Sequence, residues 1–441
     1  MVKRFRRLPG IHPADRKGTD NCATEPIPLP EQVFIPMVQH IGAACVPTVK
    51  KGDVVARGQI VGDSDAYVCA PVHASVSGTV TAVEPMLCFG NRQVVTVVIK
   101  TDGAQRAVAG IAPPVIDSRE DFLRAVRASG LTGLGGAGFP AHVKLNPPKG
   151  VQPDILIVNA AECEPFITAD YRECIEHTGR IMAGIRSILR WTGVQKAIIG
   201  IEDNKPEAVA KLEKACAGDA AISVRVVKSR YPQGAERVLI HTLTGRRVKT
   251  GKLPADAGCL VMNVTSVSFL QSFLETGLPL MSKRVTVDGP LVATPGNREV
   301  PIGTPVAEVF AACGGLSAEP EKLLMGGPMM GVTLYSQEVP VIKNTNALLA
   351  FDHRLGSMPK ESACIRCGRC ARGCPMGLQP LDINRVVVNR AWEELAAYQA
   401  MDCIECGSCS YVCPAHRYLV QSIRLAKDHI RRHPAKEVKK A

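Results

Sequence analysis

Apolar and polar residues first follow a short, strand-like rhythm. Residues 33–100 read as short strands, clearest over Val94 to Lys100 (VVTVVIK), with Gly42, Gly52, Gly58, Gly62, Gly78 and Gly90 at the turns. The period then lengthens. Residues 118–129 predict a helix, opened by Ser118 with Asp121 three residues on and stopped by Gly130. A glycine-rich loop follows, with Gly130, Gly133, Gly135, Gly136 and Gly138. The apolar run from Asp154 to Asn159 predicts a buried strand. Helical stretches at 175–191 and 206–216 then alternate with apolar strands at 197–201, 222–227 and 259–263, the alternation of an α/β domain. Strands and Gly/Pro turns return over 284–332, as in a small β-grasp-type domain ending in GGPMMG. A last helix is predicted at 381–399.

Length changes this picture little: 441 residues hold three or four domains. Hydrophobic residues make up 46%, enough for substantial cores, and aromatics only 4%. There is no apolar run of 18 residues and no apolar stretch behind the basic start, so neither a membrane span nor a signal peptide is expected. The net charge of +12 is concentrated at the ends: residues 1–17 carry +5 and residues 427–441 carry +4. Such tails suit solvent, a membrane surface or an acidic partner. No aromatic-interleaved basic patch accompanies them, so nucleic acid is not expected.

The cysteines change the picture most. Cys364, Cys367, Cys370 and Cys374 precede Pro375; Cys403, Cys406, Cys409 and Cys413 precede Pro414. Both runs read C-x2-C-x2-C-x3-C-P, the spacing of bacterial two-cluster ferredoxins. Three close cysteines wrap one 4Fe-4S cluster, and the fourth, on the helix that follows, reaches the other. One cluster is therefore assigned Cys364, Cys367, Cys370 and Cys413, the other Cys403, Cys406, Cys409 and Cys374. Zinc sites pair C-x2-C units across a longer gap, and a disulfide framework would not give two matched runs. Gly368 and Gly407 leave room for backbone beside the cluster sulfur. The other nine cysteines form no regular pattern, and most read as small buried hydrophobes. Thiolate-ligated clusters indicate a reducing, cytoplasmic compartment.

Gly133, Gly135 and Gly138 match G-x-G-x-x-G, but after a helix and before a strand, which is not the dinucleotide-fold context. The backbone amides of this loop can still line a surface for a flat or phosphorylated ligand. Lys144 can neutralise a phosphate and Phe139 can stack on a ring. Asn159, Glu162, Cys163 and Glu164 lie just past a strand's carboxyl end, where α/β ligands bind.

Two resemblances emerge from these residues. GDVVxxGQIVG followed by SVSGTV resembles a barrel-sandwich domain of the lipoyl/biotinyl type, but its tip, Ser64 to Ala66, has no lysine to carry a group. GLGGAGFPxxxK, NAAECEPFITADYR and YPQGAER resemble the flavin-binding subunit of respiratory NADH dehydrogenase. Adding IHPADRK, IPMVQHIG, VHASVSG, MGGPMMG and the twin cysteine motifs, the chain resembles still more closely the C subunits of Rnf ion-translocating ferredoxin:NAD oxidoreductase complexes. The resemblance spans about residues 8–425 and implies non-covalent FMN and an NADH site. On matching positions FMN meets Gly133, Gly135, Gly136, Ala137, Lys144, Asn159, Glu162, Gly234 and Asn263. The nicotinamide nucleotide meets Phe139, Lys144, Glu164 and Glu236. Two positions depart from the respiratory pattern: Leu134 replaces an arginine, and Ala235–Glu236 replaces two adjacent acids.

The implied architecture is a multidomain α+β chain. A barrel-sandwich β domain covers 1–110, an α/β flavin/nucleotide domain 111–283 and a β-grasp domain of the SLBB kind 284–340. A two-cluster ferredoxin-like helical segment covers 350–430, with a basic tail at 431–441. The implied function is peripheral electron transfer at the cytoplasmic face of the membrane. Hydride is exchanged between NADH and FMN, and single electrons pass through the clusters to or from membrane-embedded subunits and ferredoxin. Two alternatives stand beside it. One is a soluble flavin/iron–sulfur cobalamin reductase, whose sandwich domain would follow the clusters rather than precede them. The other is a non-catalytic cluster-bearing docking subunit.

Overall fold

A computed structural model describes residues 8–90 and 92–433. The first seven residues and those from 434 onward, which hold most of the basic termini, lie outside the described residues. No helix among those described is long and apolar enough to cross a membrane.

The N-terminal sandwich has two antiparallel sheets. One orders Gln32–Pro36, Arg92–Thr101, Gly78–Cys88 and Val54–Val55; the other orders Val46–Pro47, Ile60–Asp63 and Val72–His73. Register places Val33 opposite Ile99 and Ile35 opposite Val97, and all four are fully buried. These cross-strand apolar pairs join the two strands, and their side chains share one core with Val61 and Val72 of the other sheet. The tip at Ser64 is not a free arm. Arg127, on helix Arg119–Ala128, pairs with Asp63 at 2.7 Å and donates to the Ser64 carbonyl at 2.8 Å. Intact and peptide masses of protein from its native host should therefore show no lipoyl or biotinyl increment on residues 30–100; such an increment would overturn the structural reading of this domain.

The second module is a parallel four-stranded sheet ordered Ile222–Val227, Lys196–Glu202, Ile155–Ala160, Cys259–Asn263. Successive residues of the central strand feed opposite cores. Leu156 and Val158 join Ile185, Ile199 and Val267, whereas Ile157 packs with Leu239, Ile240 and Val261. Both faces being covered explains the uninterrupted apolar run. The helix expected at 175–191 is two helices, Ala169–Glu176 and Thr178–Thr192, separated where His177 leaves helical geometry. Its earlier start has no local cap. The Glu162 carboxylate, from eight residues upstream, accepts the N–H groups of Asp170 (2.6 Å) and Tyr171 (3.1 Å).

The third module is a six-stranded sheet, ordered Thr24–Pro26, Gly296–Pro301, Ser282–Asp288, Ala347–Phe351, Lys322–Met325, Val332–Leu334. Two of these, Thr24–Pro26 and Ala347–Phe351, come from outside residues 284–340. Arg284 joins three parts of the molecule. It pairs with Glu173 and Glu176 of the second module and donates to Thr24 Oγ1 of the edge strand at 2.6 Å. Burial alone would raise the Glu173 carboxyl, but His177 and Arg284 outweigh it and hold it at about 2. Because that folded value lies below the unfolded one, the stabilisation is complete above about pH 4.5 and is lost as pH falls toward 2. Arg284→Met strands Glu173 as a buried, poorly compensated charge and should cost about 3–5 kcal/mol. Urea unfolding at neutral pH checks this; a loss under about 1 kcal/mol would mean that the pair is structurally idle.

In the C-terminal segment the helix expected at 381–399 ends early. Pro380–Val388 is α-helical, Arg390 turns left-handed (φ 56°), and Trp392–Tyr398 is a 3-10 helix.

Candidate functional site

The second module's chain path creates a crevice. From Ile155–Ala160 it steps one way to the strands at 196–202 and 222–227, then returns on the other side as Cys259–Asn263. Ligands of open α/β sheets bind at the carboxyl end where strand order reverses. Asn159 and Asn263 are register partners at that end. Asn159 Nδ2 donates to the Gly234 carbonyl at 2.8 Å. Asn263 caps helix Val264–Thr276, its Oδ1 accepting from Ser266 N–H at 3.2 Å, while its Nδ2 donates to Asp170 at 2.7 Å.

The glycine loop lies against this end. A Cβ on Gly135 would come within 2.7 Å of Asn263 Nδ2, so only glycine permits the approach. Gly135, Gly136 and Ala137 are exposed, and a Cβ on Gly136 (φ 143°) would meet nothing within 4 Å. That is an open backbone cradle of the kind a flat, phosphorylated cofactor fills. Leu134, where the respiratory pattern has arginine, points the other way. It is fully buried, its N–H bonds Ser266 Oγ at 3.0 Å and its carbonyl accepts from Lys283. A four-residue helix, Ala141–Lys144, separates the loop from the next strand, and Lys144 ends it. Lys144 Nζ meets Glu236 Oε1 at 2.9 Å, both partly exposed. Phe139 is half-buried and its carbonyl accepts from Gly133 N–H at 2.9 Å, closing the loop.

Glu162 and Glu164 are committed to packing as well as position. Lys17 donates to the carbonyls of Glu162 (2.9 Å), Glu164 (2.7 Å) and Ile167 (2.6 Å), folding residues 162–167 around one ammonium. Burial pushes the Glu162 carboxyl up to about 7, with Lys17 opposing, and burial does the same to Glu164. The Glu164 carboxylate accepts from Met329 N–H at 3.1 Å in the third module. Gly327 makes room for it, since a Cβ there would clash with Glu164 Oε2. Lys17 belonged to a recognised motif, but nothing local marks it as a loop organiser 145 residues from its first partner.

The cysteine loops form a duplicated unit. Arg366 and Glu405 are left-handed at the same motif position (φ 54° and 56°), as are Gly368 and Gly407 (69° and 77°) and Gly377 and His416 (70° and 50°). The short helices Arg369–Arg372 and Ser408–Tyr411 correspond, and the helices Pro380–Val388 and Leu419–Arg432 pack together. In both loops an N–H two residues on donates to the first cysteine sulfur: Arg366 to Cys364 at 3.4 Å and Glu405 to Cys403 at 3.3 Å. The fourth cysteines are not on the longer following helix. Cys374 and Cys413 come just after the one-turn helix that carries the third cysteine. Cys374 lies close enough to Cys403 and Cys409 to interact electrostatically with both, and Cys413 interacts so with Cys370. The thiols are unbridged.

The second loop docks on the flavin-type module. Tyr231 hydroxyl donates to the Cys406 carbonyl at 2.6 Å, three residues before Gly234. Arg237 and Thr250 bind Asp402 at 3.1 and 2.7 Å. Cys364 of the first loop is exposed, with Ile365 beside it.

Comparisons with known proteins agree with this layout. Residues 4–104 match the RnfC barrel sandwich hybrid domain, 126–271 the Nuo51 FMN-binding domain, 284–333 the SLBB domain and 363–416 the 4Fe-4S dicluster domain. The chain is 44% identical over 429 residues to the C subunit of the Na(+)-translocating ferredoxin:NAD(+) oxidoreductase complex of Acetobacterium woodii, covering 96% of each. It is 42% identical to the C subunit of the proton-translocating ferredoxin:NAD(+) oxidoreductase complex of Clostridium ljungdahlii, covering 98% of this chain and 95% of that one. It is 38% identical to the C subunit of the ion-translocating oxidoreductase complex of Rhodobacter capsulatus, over 95% and 82%. The chain belongs to this family, the C subunits of ion-translocating ferredoxin:NAD(+) oxidoreductase complexes, as an electron-transfer subunit with FMN and 4Fe-4S domains.

Proposed function

We infer that NADH exchanges hydride with FMN held at the Asn159–Asn263 crevice, and that the two cysteine loops hold the electron route between this site and partner subunits. Bound FMN and 4Fe-4S clusters supply the step from a two-electron donor to single electrons. The chain's residues bind and position. Amides at Gly135, Gly136 and Ala137, with Lys144, would hold phosphate on the loop that Gly133 closes; Asn159, Glu162, Gly234 and Asn263 would line the rest of the FMN site, and Phe139, Lys144, Glu164 and Glu236 would meet the nicotinamide nucleotide. Cys403, Cys406, Cys409 and Cys374 hold the inner cluster, and Cys364, Cys367, Cys370 and Cys413 the outer one. The observation that carries this reading is the Tyr231–Cys406 hydrogen bond, which fastens the inner loop to the flavin module beside Gly234. Cys364 is exposed, so a cluster held there would be accessible to a partner, either another subunit of the complex or ferredoxin. The protein sits peripherally on the cytoplasmic face, held by membrane-embedded subunits.

The test is a flavin and iron assay on anaerobically purified chain, followed by NADH. Stoichiometric FMN and NADH-dependent bleaching of the cluster absorbance are expected. Full iron without flavin would support a docking role instead.

A further inference from the structure

Three buried side chains of the sandwich domain converge on one point. His40 follows strand Gln32–Pro36, Cys45 precedes Val46–Pro47, and Cys69 lies ahead of Val72–His73. Their exposures are 8%, 4% and 0%. The two sulfurs are 3.5 Å apart, and His40 Nε2 is 3.6 Å from Cys69 Sγ and 3.8 Å from Cys45 Sγ. Among the described residues this is the one group of three His, Cys, Asp or Glu side chains whose ligand atoms all lie within 4.8 Å of one another.

Those distances can be set against a metal. Tetrahedral zinc, with Zn–S of about 2.3 Å and Zn–N of about 2.0–2.1 Å, separates two sulfurs by about 3.8 Å and sulfur from nitrogen by about 3.5–3.6 Å. The observed triangle matches these edges to within about 0.3 Å. Imidazole orientation also fits. His40 Nδ1 is 3.2 Å from the Ile41 carbonyl, so Nδ1 carries the proton and Nε2, within 3.8 Å of both sulfurs, is the acceptor nitrogen. That lone pair now accepts from Ala70 N–H at 3.2 Å, which establishes the tautomer a ligand needs. A carbonyl on the far ring nitrogen is the usual support of a metal-binding histidine. The Ala70 carbonyl, 3.4 Å from Cys45 Sγ, or a water completes four ligands.

The geometry points to a structural divalent-metal site at His40, Cys45 and Cys69, of the soft class for which zinc is the expected ion. Binding is redox-neutral: two thiol protons leave to solvent as two sulfur–metal bonds form, so a dication and two thiolates enter the core with no net charge. The site would pin residues 40–45 to residues 69–70. Its place explains why that matters. Ile41 N–H donates to the Gly138 carbonyl at 3.0 Å, and Gly138 packs on the backbone of Gln39 and His40. The metal would thus hold the floor beneath the glycine loop.

Zinc itself is the probe. Cluster-intact protein is stripped with a mild chelator, given one equivalent of zinc anaerobically and dialysed. Zinc and iron are then counted by mass spectrometry, and the zinc K-edge X-ray absorption spectrum is recorded. The expected result is about one zinc per chain beside undiminished iron, with two sulfurs at about 2.3 Å and nitrogen or oxygen at about 2.0–2.1 Å. Cys45→Ala/Cys69→Ala should keep its iron and lose the zinc. Zinc at background in the wild type, or equal zinc in the double variant, overturns the proposal. Should the double variant fail to fold, the wild-type spectrum decides alone: four-sulfur ligation would mean that zinc has entered a cluster loop and that His40, Cys45 and Cys69 are packing only.

Discussion

Cys374→Ser protein, purified anaerobically and reduced, is expected to lose or shift the EPR signal of the cluster on Cys403, Cys406 and Cys409, while the cluster next to it in sequence survives. Cys413→Ser should do the reverse, striking the cluster on Cys364, Cys367 and Cys370. The two cysteine loops repeat the same backbone turns at the same positions, and the helices behind them pack as a pair. In ferredoxins of this spacing the fourth thiol of each run serves the cluster of the other. Cys374 accordingly lies in the electrostatic neighbourhood of Cys403 and Cys409. A 4Fe-4S cluster that loses one of four thiolates commonly falls apart or changes type, so the effect should be near-complete for one signal and slight for the other. If Cys374→Ser and Cys364→Ser remove the same signal, each cluster is held by its own run and the crossed assignment is wrong.

The second large effect is expected at the glycine loop. Lys144→Ala should release flavin or weaken nucleotide binding while both clusters assemble normally. Amides can cradle a phosphate but carry no full charge, and a phosphate in a partly dry cleft needs a cation. A charge-assisted hydrogen bond is worth roughly 1.5–3 kcal/mol, or about a ten- to hundredfold change in dissociation constant. The Lys144–Glu236 pair sharpens the test. A partly exposed pair contributes only about 0–1 kcal/mol to stability, so breaking it should leave the fold intact. Glu236→Gln frees Lys144 from its carboxylate and should not mimic Lys144→Ala for flavin retention. Flavin fluorescence after filtration, with iron measured alongside, reads both. Wild-type flavin content and wild-type NADH-driven cluster reduction in Lys144→Ala would reduce Lys144 to a surface lysine.

What the sequence disclosed follows from how local each signal is. The cysteine spacing, the Ser118 cap and the apolar strands are set by neighbours within a few residues, and these elements appear where expected. The start of helix Ala169–Glu176 was illegible because its cap is Glu162, held in a left-handed turn upstream. Lys17, Arg284 and Thr24 were equally illegible, since their partners lie more than a hundred residues away. The helix at 381–399 looked continuous because its composition suits a helix; the left-handed Arg390 ends it. Leu134 read as a departure in a ligand loop, yet its side chain is core. On the proposed reading the loop acts through its backbone, which tolerates that exchange. The His40–Cys45–Cys69 cluster had no motif, because its members come from separate strand ends that meet only in the folded sandwich.

The N-terminal strap has a consequence for the order in which the molecule can be assembled on a ribosome. Tyr231 pairs with Ile11, residues 162–167 close on Lys17, and strand Thr24–Pro26 zips parallel onto Asn297, Arg298 and Glu299. Residues 11–26 emerge before all of these partners: the ladder at 297–299 is translated some 270 residues later, and Cys406, against which Ile11 packs, later still. During synthesis this segment has to wait, undocked, while the sandwich and the parallel sheet form behind it. Its docking on Asn297, Arg298 and Glu299 then ties the parallel-sheet module to the six-stranded one, so completion of the strap depends on later modules rather than on the folding of any single one. A nascent chain arrested before residue 297 should therefore leave the segment around Thr24 open to protease, and one arrested after the six-stranded sheet has cleared the exit tunnel should protect it.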